Sequence, residues 1–346
     1  MKVAILGDVH IGCRNNSELF HKHAEKFFSK VFFPTLKKHK IDTVYQLGDL
    51  YDVRKSLSTF SQDEARRYLF EPLRKVNIDF HVLLGNHDIY YRELLTVNTP
   101  ELMLREYKNI HVYNEPTTIT VDDCTIDIVP WLCKQNEEEI LSFIKNSKSD
   151  VCLGHWEIES FAMYRGMVSK GGLSPATFNK YKLCLSGHFH TRSSSGNITY
   201  VGTPYEITWQ DAGDKRGFHI LDTDTLEMEF IENPYTIFNK IEYTSDSVLD
   251  DTDLKDKIVR VIVTNKTDEK HYEKFIKSIH DQNPYEVKIL EDLSAFRQGE
   301  AEIIDLQDTL SIVKNYIDSI DTELNKDEIN NYMQSLYVEA INMDEV

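Results

Sequence analysis

Five short apolar runs in this chain each end in side chains able to hold a metal ion, and that coincidence limits what the chain can fold into. Ala4-Ile5-Leu6 leads to Asp8 and His10, Val44-Tyr45-Gln46-Leu47 to Asp49 and Asp52, and His81-Val82-Leu83-Leu84 to Asn86, His87 and Asp88. Val151-Cys152-Leu153 leads to His155, and Leu183-Cys184-Leu185 to His188 and His190. Runs of this length and β-branched content read as buried strands. Open α/β sheets collect their ligand sites at the carboxyl ends of the strands. Asp, Asn and His together suit two borderline divalent ions such as manganese or zinc, whereas calcium takes oxygen alone.

Each piece has a plainer reading by itself. A His beside Gly is commonly a turn or a satisfied core residue, Asp8 can cap a helix, and Asp49 can hold a turn. Gly85-Asn86 tolerates a left-handed turn. Folding alone gives no reason for five strand ends to finish in metal-capable side chains.

The ordered series Asp-x-His, Gly-Asp-x-x-Asp, Gly-Asn-His-Asp, Gly-His and Gly-His-x-His resembles the calcineurin-like metallophosphoesterase superfamily. Within it the chain is similar to nuclease subunits of the SbcCD type and their bacteriophage recombination counterparts. The cues are Leu-Gly-Asp-Val-His-Ile-Gly at 6–12, Gly-Asp-Leu-Tyr-Asp-Val-Arg-Lys at 48–55 and Ile-Val-Pro-Trp at 128–131. Gly-His-Phe-His-Thr at 187–191, Tyr-Val-Gly-Thr-Pro-Tyr at 200–205 and Gln-Ser-Leu-Tyr-Val-Glu-Ala at 334–340 complete them. The likeness spans nearly the whole chain and is strongest before about residue 235.

Strand and helix signals alternate early, with helices expected from about Ser17 to His39 and Phe60 to Val76, the first kinked or divided at Pro34. Thr117 to Leu132 alternates around Asp122-Asp123 as a hairpin would. The fold expected is α/β: a two-sheet sandwich flanked by helices, as the resemblance also implies, then a small α+β capping domain and C-terminal helices. Residues 1–235 form the metallophosphoesterase (nuclease) domain in this reading, 236–292 a capping and DNA-recognition domain, 293–304 a linker and 305–346 a helical tail. Ile258 to Val263, Glu269 to His280 and Tyr285 to Leu290 read as a βαβ unit.

The resemblance, with the chemistry of the donors, assigns roles. Asp8, His10, Asp49 and His190 are expected to hold one ion, and Asp49, Asn86, His155 and His188 the other. A carboxylate bridging two ions holds them about 3.5–4 Å apart, and the pair acidifies a water. His87, beside the ligand Asn86, is the expected proton donor to the leaving 3′ oxygen. Asp52 is expected either to orient His87 through its carboxylate or to cap a following helix. Asp88 reads as a group behind the ligands or as a turn residue. Arg14, Arg54 and Lys55 follow the motifs and are candidate phosphate contacts, or solvated surface.

What the resemblance implies is a nuclease acting 3′ to 5′ on duplex DNA and as an endonuclease on single strands, with two manganese ions (or magnesium in their place). It also implies a homodimer inside a heterotetramer with an SMC-like ATPase of the SbcC type, the dimer using the early helices around 60–73 and 90–104. ATP use falls to that partner, because the chain has no phosphate-binding Gly-x-x-x-x-Gly-Lys-[Ser/Thr] loop. On the tail, Leu306, Leu310, Val313 and Ile317 trace one helical stripe, and Tyr332, Leu336 and Tyr337 a second. The stripes fit an intramolecular helical hairpin or docking on the ATPase. Two other readings remain at this stage: a phosphoprotein or small-molecule phosphatase, and a non-catalytic DNA-end scaffold.

A net charge of −18 looks wrong for a DNA enzyme, but it is unevenly placed. Residues 241–346 hold 25 acidic and 11 basic residues, against 32 and 28 in the first 240. Two bound cations would offset the small excess in the first part. Five cysteines without Cys-x-x-Cys spacing, no span-length apolar run and no signal peptide ahead of the first strand lead to an expected cytoplasmic location, that of a bacterial host for a phage protein.

Overall fold

The computed structural model describes residues 1–164, 167–249 and 252–291, and positions 317, 326, 329, 332 and 333. Alternation along the strands builds a sandwich. Val3 and Ile5 of the Lys2–Leu6 strand face the space between two sheets, where they meet Tyr45, Leu83, Ile126, Val151, Leu153 and Leu185. Ala4 and Leu6 face the other way, into a helix-covered layer with Phe27, Phe28, Phe32, Leu69 and Phe70. Period-two exposure is thus split between two cores.

The first sheet has six strands in the order Met228–Glu232, Gly217–Asp222, Lys2–Leu6, Thr43–Gln46, Asp79–Leu83 and Ile110–Tyr113, the last four mutually parallel. The second runs Ser193–Ser195, Ile198–Tyr200, Leu183–Gly187, Val151–His155, Cys124–Val129 and Thr117–Val121. Thr117–Val121 and Cys124–Val129 form the hairpin expected around Asp122-Asp123, with Val121 opposite Cys124. Cys152 and Cys184 lie side by side in register, buried and reduced in a third cluster with Ile140, Trp156 and Phe178.

The helix is not divided at Pro34 but runs on to His39. Glu18–Phe27 passes through a π-helical turn, Phe28–Phe32, into Phe33–His39. The second helix repeats the device: Thr59–Ala65, a π turn at Arg66–Phe70, then Glu71–Lys75 with Pro72. A proline lacks the N–H and crowds the carbonyl one turn back, and a widened turn accommodates both. A 2.8 Å bond from His21 Nε2 to Ser61 Oγ ties the two helices together.

Beyond Pro234 a separate three-stranded parallel sheet forms from Phe238–Tyr243, Ile258–Val263 and Glu286–Glu291, one residue later than expected at the last strand. The Glu269–His280 helix, capped by Asp268, covers one face and buries Phe275 and Ile279 against Val259 and Val261. This unit is fastened to the sandwich. The Glu206 carboxylate accepts the N–H groups of Ile237 and Phe238 at 2.6 and 2.9 Å. Among the described residues no helix is long and apolar enough to cross a membrane. Of the tail stripes, Ile317 is buried and Tyr332 is 65% exposed; Leu306, Leu310, Val313, Leu336 and Tyr337 lie outside the described residues.

Candidate metal centre

The parallel strands of both sheets deliver their carboxyl ends to one place. Asp8 and His10 follow the Lys2–Leu6 strand, Asp49 follows Thr43–Gln46, and Asn86 follows Asp79–Leu83. From the second sheet come His155, the last residue of its strand, and His188, just past Gly187; His155 and Gly187 are register partners. Two groups result: Asp8, His10 and His190, and Asp49, His155 and His188, each with donor atoms within 4.8 Å of one another. Asn86 closes the second, its Oδ1 lying 3.0 Å from both His155 Nε2 and His188 Nδ1.

The spacing of these atoms tests whether cations fit. Asp49 Oδ2 stands 3.2 Å from His155 Nε2, and His10 Nε2 faces His190 Nε2 at 3.1 Å. Donors about 2.1 Å from a shared ion stand roughly 3.0–3.4 Å apart, between right-angled and tetrahedral arrangements. The observed separations match. Borderline nitrogen donors with carboxylate and amide oxygens form a set suited to manganese or zinc.

Loop geometry at the site is unusual. His10, Asp49 and His188 all have positive φ, at 48°, 50° and 84°. Side chains seldom adopt that region, which costs about 1–3 kcal/mol per residue and gathers at functional sites. Gly85 and Gly187 permit the close approach: a Cβ on either would stand 2.2 Å from the Asp49 or the Leu47 backbone respectively. Asp88 is buried beneath the site, where its carboxylate receives the N–H groups of Gly85, Tyr51 and Leu50 at 2.9, 3.0 and 3.3 Å. It therefore clamps two of the ligand loops together.

Burial and charge oppose each other here. Burial pushes the Asp8 carboxyl up to about 7, with Asp49 adding to the rise against His155 and His10. For His10 burial works the other way, yet Asp52, Asp49 and Asp8 outweigh it and raise the imidazole to about 10. Burial and then the neighbouring His155 bring His188 down to about 3. Asp49, despite burial, is held well below the usual carboxylate range by His155, His87 and His10.

His87 is half-buried at the edge of the site, its ring 5.0 Å from that of His10. Asp52 reaches it differently from the expectation. Its main-chain carbonyl accepts from His87 Nδ1 at 2.6 Å, while its carboxylate lies 3.0 Å from His10 Nδ1. The reason is reach: the turn after Asp49 points the Asp52 side chain under His10. Nor does Asp52 cap the next helix, a task taken by Ser58. Arg14 Nε donates to the Ile207 carbonyl at 2.8 Å, Arg54 is half-buried and Lys55 is exposed.

Two supports have no role assigned to them by the sequence. Trp131 stands beside the second group, its ring 5.1 Å from His188 and 5.8 Å from His155. Arg216 is buried behind His190, donating to the His190 carbonyl and to Thr203 Oγ1 and pairing with Asp211 at 3.0 Å. The Ile-Val-Pro-Trp cue marked Trp131, but nothing local marks Arg216.

Residues 1–192 match the calcineurin-like phosphoesterase family. The chain belongs to that family and is a metal-dependent phosphodiesterase. It is 35% identical over 343 residues to Exonuclease subunit 1 of Enterobacteria phage T4, covering 98% of this chain and 99% of that protein. It is also 24% identical over 250 residues to the DNA double-strand break repair protein Mre11 of Nanoarchaeum equitans (strain Kin4-M), covering 64% of this chain and 66% of the relative. A solved structure, titled a novel archaeal phosphodiesterase, covers 67% of this chain and 100% of its own at 15% identity, with a TM-score of 0.36.

Proposed function

We propose that the chain is a DNA nuclease subunit, a 3′ to 5′ exonuclease on duplex DNA and an endonuclease on single strands, serving DNA end processing, recombination and repair. The observation that carries this reading is the convergence of seven donor side chains beside His87, six of them at 3.0–3.2 Å spacings and Asp8 within 4.8 Å of His10 and His190. The names of the phage exonuclease subunit and the archaeal repair protein favour DNA as the substrate.

Asp8, His10, Asp49 and His190 hold one divalent ion in this reading, and Asp49, Asn86, His155 and His188 the other. Manganese fits both, and magnesium is the alternative. Such ions, when bound, neutralise phosphate oxygens and make a water acidic enough to attack near neutral pH. The protein does the rest. The Asp52 carbonyl keeps the proton on His87 Nδ1, which leaves Nε2 to carry a proton to the leaving 3′ oxygen. Trp131 walls the second group and restricts the His188 ring. Arg14, Arg54 and Lys55 steady the phosphates that flank the cut.

The subunit works as a homodimer with two copies of an SMC-like ATPase of the SbcC type, in the cytoplasm of a bacterial host. Exposed Phe60 and Leu102, on the Thr59–Ala65 and Thr99–Leu104 helices, and Tyr90, Tyr91, Leu94 and Val97, on the Ile89–Tyr91 and Leu94–Asn98 hairpin, support an apolar dimer face. The tail stripes, Ile317 and Tyr332 among them, are the proposed ATPase contact. Residues 236–292 are the proposed capping domain. Manganese-dependent release of nucleotides from end-labelled duplex DNA, set against phosphate release from a phosphoprotein, tests the reading. Phosphate release without nucleotide release would replace it with a phosphatase.

A further inference from the structure

The first metal-binding group draws on both sheets: Asp8 and His10 follow a strand of one, and His190 follows a strand of the other. Whatever fixes such a group must therefore cross between the sheets. In the second group a ligand does so, since His155 Nδ1 donates to the Leu47 carbonyl at 2.7 Å. In the first, His10 Nε2 and His190 Nε2 face each other at 3.1 Å. As ligands both nitrogens would turn to the ion, and neither could donate to the other.

Residues 203–216 make the crossing. They lie between the Ile198–Tyr200 strand of the second sheet and the Gly217–Asp222 strand of the first. From one end Tyr205 reaches to the first sheet, its buried hydroxyl donating to the Val9 carbonyl at 2.6 Å. From the other end Arg216 reaches back to the second, donating to the His190 carbonyl. Thr203 joins the two arms: its Oγ1 accepts from Arg216 at 2.9 Å and donates to the Tyr205 carbonyl at 2.8 Å.

Both contacts fall where ligand geometry is set. The Val9 carbonyl belongs to the peptide that enters His10, whose φ of 48° lies in a region side chains seldom adopt. Such a conformation persists where its surroundings over-determine it, and the Tyr205 bond fixes that peptide plane. Arg216 and Asp211 are both buried and pair at 3.0 Å. A buried ion pair gains little over an apolar pair of the same volume, so stability alone gives no reason for it. The guanidinium fork, however, meets the His190 carbonyl, Thr203 and Asp211 at once, which a point charge could not. Asp211 is itself braced, its other oxygen accepting the N–H groups of Ile207 and Thr208, each at 2.8 Å.

We propose that Tyr205 and Arg216 are positioning residues for the first ion. Together they hold Asp8-Val9-His10 of one sheet at ligand distance from His190 of the other. The second ion, whose ligands tie the sheets directly through His155, does not depend on them. The inference rests on the ligand assignment proposed above and adds the parts that keep its first ion in place.

The test uses the full chain, stripped with EDTA and titrated with manganese under electron paramagnetic resonance, which counts bound ions and detects spin coupling between adjacent ones. The wild type should bind two ions whose signals couple. In Tyr205→Phe and in Arg216→Lys one ion should bind as in the wild type. The other should bind about 10–100-fold more weakly, the usual effect of removing a group that orients a ligand. Coupling should then appear only at the higher manganese concentration. Tyr181→Phe is the matched control, since it removes a buried tyrosine hydroxyl bond, to Asp127 Oδ2 at 2.8 Å, outside both metal-binding groups. It should keep the wild-type titration despite a lower melting temperature. Tyr205→Phe decides the matter alone where Arg216→Lys does not fold. A wild-type titration in Tyr205→Phe overturns the positioning role and leaves the ligand assignment standing. Equal weakening of both ions, or the same weakening in Tyr181→Phe, would reveal a general loosening of the fold and likewise overturn it. A wild-type chain that binds fewer than two ions overturns the assignment and the inference with it.

Discussion

Asp52 holds His87 through its main-chain carbonyl, 2.6 Å from the ring Nδ1, and not through its side chain. The carboxylate is spent on His10 Nδ1, 3.0 Å away. One residue thus touches the proposed acid and a proposed ligand with chemically different groups, and substitution separates them.

His87→Asn should remove proton donation and leave the ligands in place. Cleavage of duplex DNA is expected to fall about 10²–10⁴-fold, the usual contribution of a positioned acid. Metal analysis of the variant should still find two ions per chain. Loss of both would show that His87 is itself a ligand.

Asp52→Asn keeps the carbonyl and therefore the His87 orientation, but takes the charge from His10. A group that orients a ligand from behind contributes about 10–100-fold to metal affinity. Manganese titration should show weakening of that order at one ion only. Unchanged affinity for both ions would mean that the contact with His10 does not support binding.

Gly85→Ala would place a methyl group 2.2 Å from both the Asp49 nitrogen and its Oδ1. No flexible side-chain end can yield there, so Asp49 must move. Because Asp49 is the shared ligand in the proposed assignment, both ions should be lost together, with a lower melting temperature. Retention of two ions by the variant would contradict the shared role.

Acid sensitivity should come in part from two histidines remote from the centre, the buried His219 and the half-buried His81. Burial, with Arg192 nearby, lowers His219 to about 4, and burial with His111 does the same for His81. The unfolded chain takes up these protons near pH 6.5, the folded chain only near 4. Stability is therefore lost as pH falls through that window, since the unfolded state binds more protons. Urea midpoints at pH 7 and 5 should differ less in His219→Gln than in the wild type. Equal differences would remove His219 from the account.

The strands, their ligand-bearing ends and the hairpin at Asp122-Asp123 were readable because each is written in local pattern: apolar alternation, then a glycine, then a donor. The three-stranded parallel sheet was read only from Ile258. Phe238–Tyr243 escaped because Phe-Asn-Lys-Ile-Glu-Tyr does not alternate strictly, its apolar positions being 238, 241 and 243. Pro34 and Pro72 announce a helix break by their chemistry, and the π turns that precede them carry the helix through. Arg216 and Asp211 pair across a loop and reach His190 through its carbonyl, a contact with no signature in spacing.

The most direct measurement is the number and position of ions in the protein. Crystals grown with manganese, with diffraction recorded at its absorption edge, should show two anomalous peaks per chain. Both should touch Asp49, one beside Asp8, His10 and His190 and the other beside Asn86, His155 and His188. A single peak, or two peaks that do not share Asp49, would contradict the account.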